Sequence, residues 1–298
     1  MSSLDILKSV YKPYRYTIKS NVTIAESTSG KFVIKKQNKD LFTLFNYLNN
    51  RGFENFPKIV QNYRNEENVF EFIEEDPIPE EQKLIDLADL LASLHNKTVY
   101  YKKTSLDDFK EVYDAVSNNI SYLSSYFEAM FLNICKEEFV SPSNYLFARN
   151  YYKVRQSLSF CKEELDEWYD LVKENDKTRV AVVHNNLSLE HFIYNQRNSA
   201  LISWDNYQID TPVMDFVHLY QKEYLNHDFS AFIEKYFNHF ELLESERKLL
   251  FILISLPMHF ELQENEFNNT KIVKANMYYI YCTEKLIGPY YPKEEEKE

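Results

Sequence analysis

The sequence predicts an α+β fold in two parts, a small strand-rich segment over residues 1–75 and a larger, mainly helical one over residues 76–298. Three observations carry that reading. Short β-branched runs separated by turn residues crowd the first segment. An acidic, proline-broken stretch, EEDPIPEE at 74–81, continues neither a strand nor a helix and marks the link. Beyond it, apolar residues recur at helical spacing over long stretches.

Each element follows in order. Val22–Ala25 and Lys31–Lys36 are β-branched runs, and Ser29–Gly30 between them is a hairpin signal. Asp40 can cap a helix in which Leu41, Leu44, Phe45 and Leu48 share a face, with a stop near Arg51–Gly52. Pro57 leads into a strand over Ile59–Tyr63; Arg64–Asn65 turns the chain, and Asn68–Ile73 alternates as the next strand. Past the link, Leu84, Leu87, Ala88, Leu91 and Leu94 stripe a helix over Glu80–His95. Asp107–Glu138, Ser141–Asn175, Phe229–Tyr236 and Glu244–Leu256 read as further helices, and NMYYIYCTEK at 276–285 as a packed one. RVAVVH at 179–184 and ALISW at 200–204 read as a β-hairpin among helices, which is where chemistry is expected.

Composition excludes several classes. Lys and Arg number 34 against 46 Asp and Glu, a formal charge of −12. Nucleic-acid binding needs the opposite surplus, and anionic lipid is equally disfavoured. Three glycines in 298 residues, against a usual share of about 7%, leave no GxGxxG, GxxxxGK[ST] or GxSxG. Dinucleotide binding, P-loop hydrolysis and the hydrolase elbow are therefore unlikely, as is a glycine-rich lid over phosphates. Cys135, Cys161 and Cys282 form no CxxC pair and read as free buried thiols. The longest apolar run, Leu249–Met258, falls short of the ~20 residues a membrane span needs, and the N-terminus has no signal-like core. A soluble, cytoplasmic protein is expected.

HNNLSLEHFIY at 184–194, followed by LISWDNYQIDTPVMDF at 201–216, resembles the catalytic core of the aminoglycoside phosphotransferase and choline kinase superfamily. The pattern there is HxDxxxxN, an ID(W/L/F)D strand and a P-x-x-D segment. Within it the chain is most similar to the bacterial spore-coat CotS, YsxE and YutH group. VIK at 33–35, GFENFPKIV at 52–60, FEFIEE at 70–75 and LHNKT at 94–98 keep the same register. The resemblance implies a bilobal protein-kinase-like fold. It puts His184 where the family braces its catalytic loop and Asn186 at the catalytic aspartate. His191 falls at the metal-binding asparagine and Ser203 at the metal-binding aspartate. Asp205 and Asp215 match later aspartates, with Asp215 holding the loop. Lys35, or Lys36 if the register slips, matches the lysine that contacts ATP phosphates, and the helix from Asp40 offers it no glutamate.

These departures remove chemistry stepwise. Magnesium wants oxygen ligands, so a serine at 203 and a histidine at 191 are poor substitutes. An amide at 186 cannot take a proton, and loss of a general base costs about 10²–10⁴-fold in rate. One rescue is open: if 200–204 continue as a strand, Asp205 lies on the face of Ser203, about 6.6 Å along, and could hold the cation. Plainer readings stand beside these. His184 reads as a hydrogen-bonded core residue and Lys35 as a surface lysine, while His184, His191 and Asp205 could together form a two-histidine, one-carboxylate metal site.

The resulting expectation is a pseudokinase, a binding or scaffold protein with a protein partner and no resident metal, in the cytoplasm or spore coat. The alternative is a divergent ATP- and magnesium-dependent phosphotransferase to a small-molecule hydroxyl. Asp215, as a buried acceptor, supplies the first test. Asp215→Ala should lower the melting temperature by the equivalent of about 1–3 kcal/mol; an unchanged melt would mark it as an ordinary surface acid.

Overall fold

Strands come first along the chain, and helices dominate after residue 104. The computed structural model describes residues 15–19, 22–36, 39–62 and 67–291. The N-terminal elements are β1 (Arg15–Lys19), β2 (Val22–Ser27), β3 (Gly30–Lys36), α1 (Leu41–Asn50), β4 (Ile59–Asn62), β5 (Glu67–Glu71), α2 (Glu80–Thr98) and β6 (Tyr100–Lys103). There follow α3 (Leu106–Ile134), α4 (Pro142–Val172), β7 (Lys177–Val183), β8 (Phe192–Ile193), β9 (Ala200–Leu201) and β10 (Gln208–Asp210). The last helices are α5 (Val213–Glu223), α6 (Ser230–His239), α7 (Glu244–Ser255) and α8 (Glu266–Ile287). The fold is α+β, a small antiparallel sheet followed by a larger helical region.

The chain forms two compact units, Met1–Val99 with Ala181–Asp210, and Tyr100–Val180 with Thr211–Glu298. This division differs from the one read at 75/76. Helix α2 and the segment 181–210 pack with the N-terminal strands, because hydrogen bonds tie them there. Thr98 Oγ1 accepts the Val182 N–H at 3.1 Å, and Asn55 Nδ2 donates to the Ser199 carbonyl at 2.8 Å.

In the first unit the antiparallel order is β1-β2-β3-β5-β4, with Ile24 opposite Val33 and Val33 opposite Phe70. Side chains alternate across a strand, so the sheet has two distinct faces. Ala25, Phe32, Ile34 and Val69 form a buried cluster on one. Val22, Ile24, Val33 and Lys35 share the other. Gly30 turns β2 into β3 at φ +132°, a conformation only glycine adopts without strain. Asp40 caps α1 by accepting the Thr43 N–H at 3.2 Å and hydroxyl at 2.6 Å, and Leu41, Leu44, Phe45 and Leu48 are buried as the spacing requires. Phe45 stacks on Phe56 with ring centres 4.3 Å apart. Later in this unit β8 pairs with β9, and Ala181–Val183 of β7 pair with β10.

The second unit is helical, with β6 paired to Lys177–Val180 of β7. Aromatic rings fill its core: Phe216, Phe232 and Tyr236 are fully buried. Arg179 lies over the Phe240 ring at 4.7 Å and bonds Glu246 through Nε at 2.8 Å, which secures β7 to the start of α7. Asp215 is completely buried in the first turn of α5.

Several expectations change. The runs at 179–184 and 200–204 are not each other's partners. β7 pairs with β6 and β10, β9 pairs with β8, and residues 204–206 form a 3₁₀ turn. The partners that were missed, YYKK and QID, are short and polar and carry no alternating signal. Strand β1 was also missed. The Arg64–Asn65 turn lies outside the described residues. Of the thiols only Cys161 is buried, and burial pushes it well above its ordinary value; Cys135 is exposed and Cys282 half-buried. Helix α8 buries Tyr279 and Ile280 but leaves Tyr278 and Tyr281 in solvent. Among the described residues no helix is long and apolar enough to cross a membrane.

Asp228 gives a pH test of the second unit. The Lys285 ammonium at 2.7 Å, together with Ser230, holds its carboxyl down to about 2, against an ordinary 3.8. A depressed carboxyl stabilises the fold above about pH 4 and loses that contribution as pH falls toward 2. The pair is largely exposed, so the effect is under ~1 kcal/mol. Thermal melts of the native chain and Asp228→Asn should differ at pH 7 and converge near pH 2; a gap independent of pH would exclude the pairing.

Candidate functional site

A cavity of about 300 Å³ opens in the first unit against the Lys35 face of the sheet. Val22, Ile24 and Val33 form one wall, Ile193 and Ile202 another, and Phe70, Phe72 and Ile73 one end. Strand alternation settles the lysine: Lys35 lies beside Val33 and lines the cavity, whereas Lys36 falls on the opposite side and is exposed.

Lys35 is ion-paired with Asp205, which also lines the cavity. Their side chains keep only 24% and 16% of their exposure, so the pair is weakly screened. Asp205 is aimed by its neighbour. Trp204 is buried, donates its indole N–H to the Leu201 carbonyl at 2.7 Å, and meets Phe45 and Phe53 edge-on at 6.2 and 6.4 Å. Fixing that ring fixes the 3₁₀ turn that carries Asp205. Because the backbone turns here, the strand argument that set Asp205 on the face of Ser203 does not apply.

Behind the cavity, two segments are fastened together. His184, fully buried, donates Nε2–H to the Ile202 carbonyl at 2.8 Å, and Ile202 gives its N–H to the His191 carbonyl at 2.9 Å. The His191 ring donates Nδ1–H to the Asn186 carbonyl at 2.6 Å. A carbonyl only accepts, so both tautomers follow from these bonds. Asn185 and Ser203 are the non-glycine residues with positive φ among those described, at 57° and 66°. Left-handed backbone costs about 1–2 kcal/mol in a residue other than glycine, less where Asn or Asp bonds locally, and it is retained where a site demands it.

The cavity thus brings Lys35, Ser203 and Asp205 together. His184, Asn186 and His191 lie in the supporting network instead, and Asp215 belongs to the other unit. The two-histidine, one-carboxylate site does not assemble: among the described residues no group of three or more His, Cys, Asp or Glu is placed to hold a metal. Magnesium fits poorly, since Ser203 is neutral, His191 is a nitrogen ligand, and Asp205 already holds the Lys35 ammonium. Sequence reading missed Glu71 and Glu75 on the cavity wall.

Solved structures similar to this chain share its fold. An aminoglycoside phosphotransferase from Alicyclobacillus acidocaldarius matches with a TM-score of 0.66 at 11% identity, over 93% of both chains. A spectinomycin phosphotransferase bound to AMP matches at 0.52 and 9%, over 97% of this chain and 94% of that one. A choline kinase from Streptococcus pneumoniae matches at 0.46 and 14%, over 94% and 89%. No family model and no curated protein sequence matches the chain. The fold is that of the protein-kinase-like phosphotransferases. At these identities the likeness extends to the fold alone.

Ser203 tests the site's backbone. Aspartate tolerates the left-handed region and a β-branched side chain does not. In urea denaturation Ser203→Val should therefore be less stable than Ser203→Asp by about 1–2 kcal/mol. Equal stabilities would show that the conformation at 203 is not imposed on the native state.

Proposed function

We propose that this chain is a pseudokinase, a kinase-like binding protein that transfers no phosphate, akin to the spore-coat group its motifs resemble and acting on a protein partner in the cytoplasm. One observation carries the reading: the lysine expected on ATP phosphates is neutralised by its ion pair with Asp205. Asn186, His191 and Ser203 support it. None is a carboxylate, so the family's catalytic and metal positions supply neither a carboxylate base nor a hard anionic ligand. Phosphoryl transfer is positioning plus electrostatic stabilisation, and both depend on those groups. The fold's solved neighbours are phosphotransferases, which keeps transfer to a small-molecule hydroxyl as the rival reading.

The test is direct. Purified chain, incubated with ATP and a panel of amino sugars, choline and ethanolamine, should release and transfer phosphate no faster than buffer, with magnesium or manganese. Either ion should leave nucleotide binding in a thermal-shift assay unchanged. A magnesium-dependent shift that disappears in Asp205→Ala would overturn the proposal and put Asp205 in a working metal site.

A further inference from the structure

The cavity's shape and its charge point to different parts of a nucleotide. At about 300 Å³ it sits at the small end of ligand sites, which span roughly 300–1,000 Å³. Its aliphatic walls suit a flat ring. At the end formed by Phe72 and Ile73 the backbone supplies polarity. Phe72 gives its N–H to Lys31 and Asp76 gives its own to Tyr194, while Ile73, between them, makes no hydrogen bond among the described residues. That peptide can offer a donor and an acceptor to the edge of a heteroaromatic ring.

The charged lining is the reverse of a phosphate site. Among the described residues Lys35 is the only cationic residue on the wall, against Asp205 and Glu75; Glu71 lies there by its backbone, its side chain falling with Phe32 on the other face of the sheet. Lys83, outside the wall, offsets Glu75 at 2.5 Å, and Asp205 offsets Lys35. A polyphosphate could gain Lys35 only by breaking its pair with Asp205, which would leave a partly buried carboxylate unpaired beside the incoming anion.

We infer that this cavity takes a flat, uncharged heteroaromatic ligand of nucleobase or nucleoside size and discriminates against nucleoside polyphosphates, with the Lys35–Asp205 pair as the discriminating device. The inference rests on the non-catalytic reading of the same site. It reverses the preference a phosphoryl-transfer enzyme requires.

Calorimetry on the full chain in EDTA, with adenosine against ATP and guanosine against GTP, tests it. At least one nucleoside should bind, about tenfold or more tighter than its triphosphate. Asp205→Asn frees Lys35 and should close that gap about tenfold by strengthening triphosphate binding. Lys35→Gln, the second variant, should widen the gap or leave it and never close it. The inference is overturned if no nucleoside binds, if a triphosphate binds as tightly as its nucleoside, or if Asp205→Asn, shown folded by circular dichroism, leaves the ratio as it was. None of these outcomes bears on the absence of transfer, which the turnover assay measures separately.

Discussion

Ile202 is held by both halves of its peptide environment: its N–H goes to the His191 carbonyl, and its carbonyl takes the His184 ring. Buried polar groups cost about 1–3 kcal/mol each when left unsatisfied, so a segment fastened at two such points has little freedom. Everything chemical in the first unit depends on this fastening. It fixes where the chain leaves β9, which forces Ser203 into left-handed backbone and seats Trp204 between Phe45 and Phe53. Trp204 in turn delivers Asp205 to Lys35. One fastening thus sets the position of both charged groups in the cavity.

The retained and the altered positions differ in burial. His184 is wholly buried and its hydrogen bond cannot be exchanged for water, so replacing it would cost stability. Asn186, His191 and Ser203 are half-buried, and polar substitutes there are accommodated by the loop itself, as the His191 bond to the Asn186 carbonyl illustrates. The loop's architecture and the cavity's charge thus rest on different side chains.

Much of this was legible in the sequence. The α1 face and its Asp40 cap, the α2 stripe and the β2–β3 hairpin followed from local periodicity, and local periodicity is what those elements obey. Motif order identified the fold despite identities of 9–14% to the solved structures reported above. Partner choice was not legible. RVAVVH and ALISW are strand-like, but a short apolar run does not encode which strand it meets. Nor was the Lys35–Asp205 pair, which joins residues 170 positions apart and needs the 3₁₀ turn that a strand reading of 200–204 hides. Nor was the place of Glu75 on the cavity wall, because a charged residue at a cavity rim has no sequence signature of its own.

The first unit is discontinuous: residues 181–210 complete it only after 100–180 have been laid down elsewhere. On a ribosome, which extends the chain from the N-terminus at about 5–20 residues per second, the five-stranded sheet and α2 emerge without Trp204, without the Val182 bond to Thr98 and without the Leu201 bond to Asn55. For several seconds Phe45 and Phe53 lack the ring that covers them. The nascent sheet is therefore a sticky, incomplete body, and closing it requires a long-range return whose loop entropy is met late. Truncations anywhere before Asp205 should leave that aromatic surface uncovered for good, so the length at which ribosome-held chains stop recruiting chaperones marks the moment when the last cavity wall arrives.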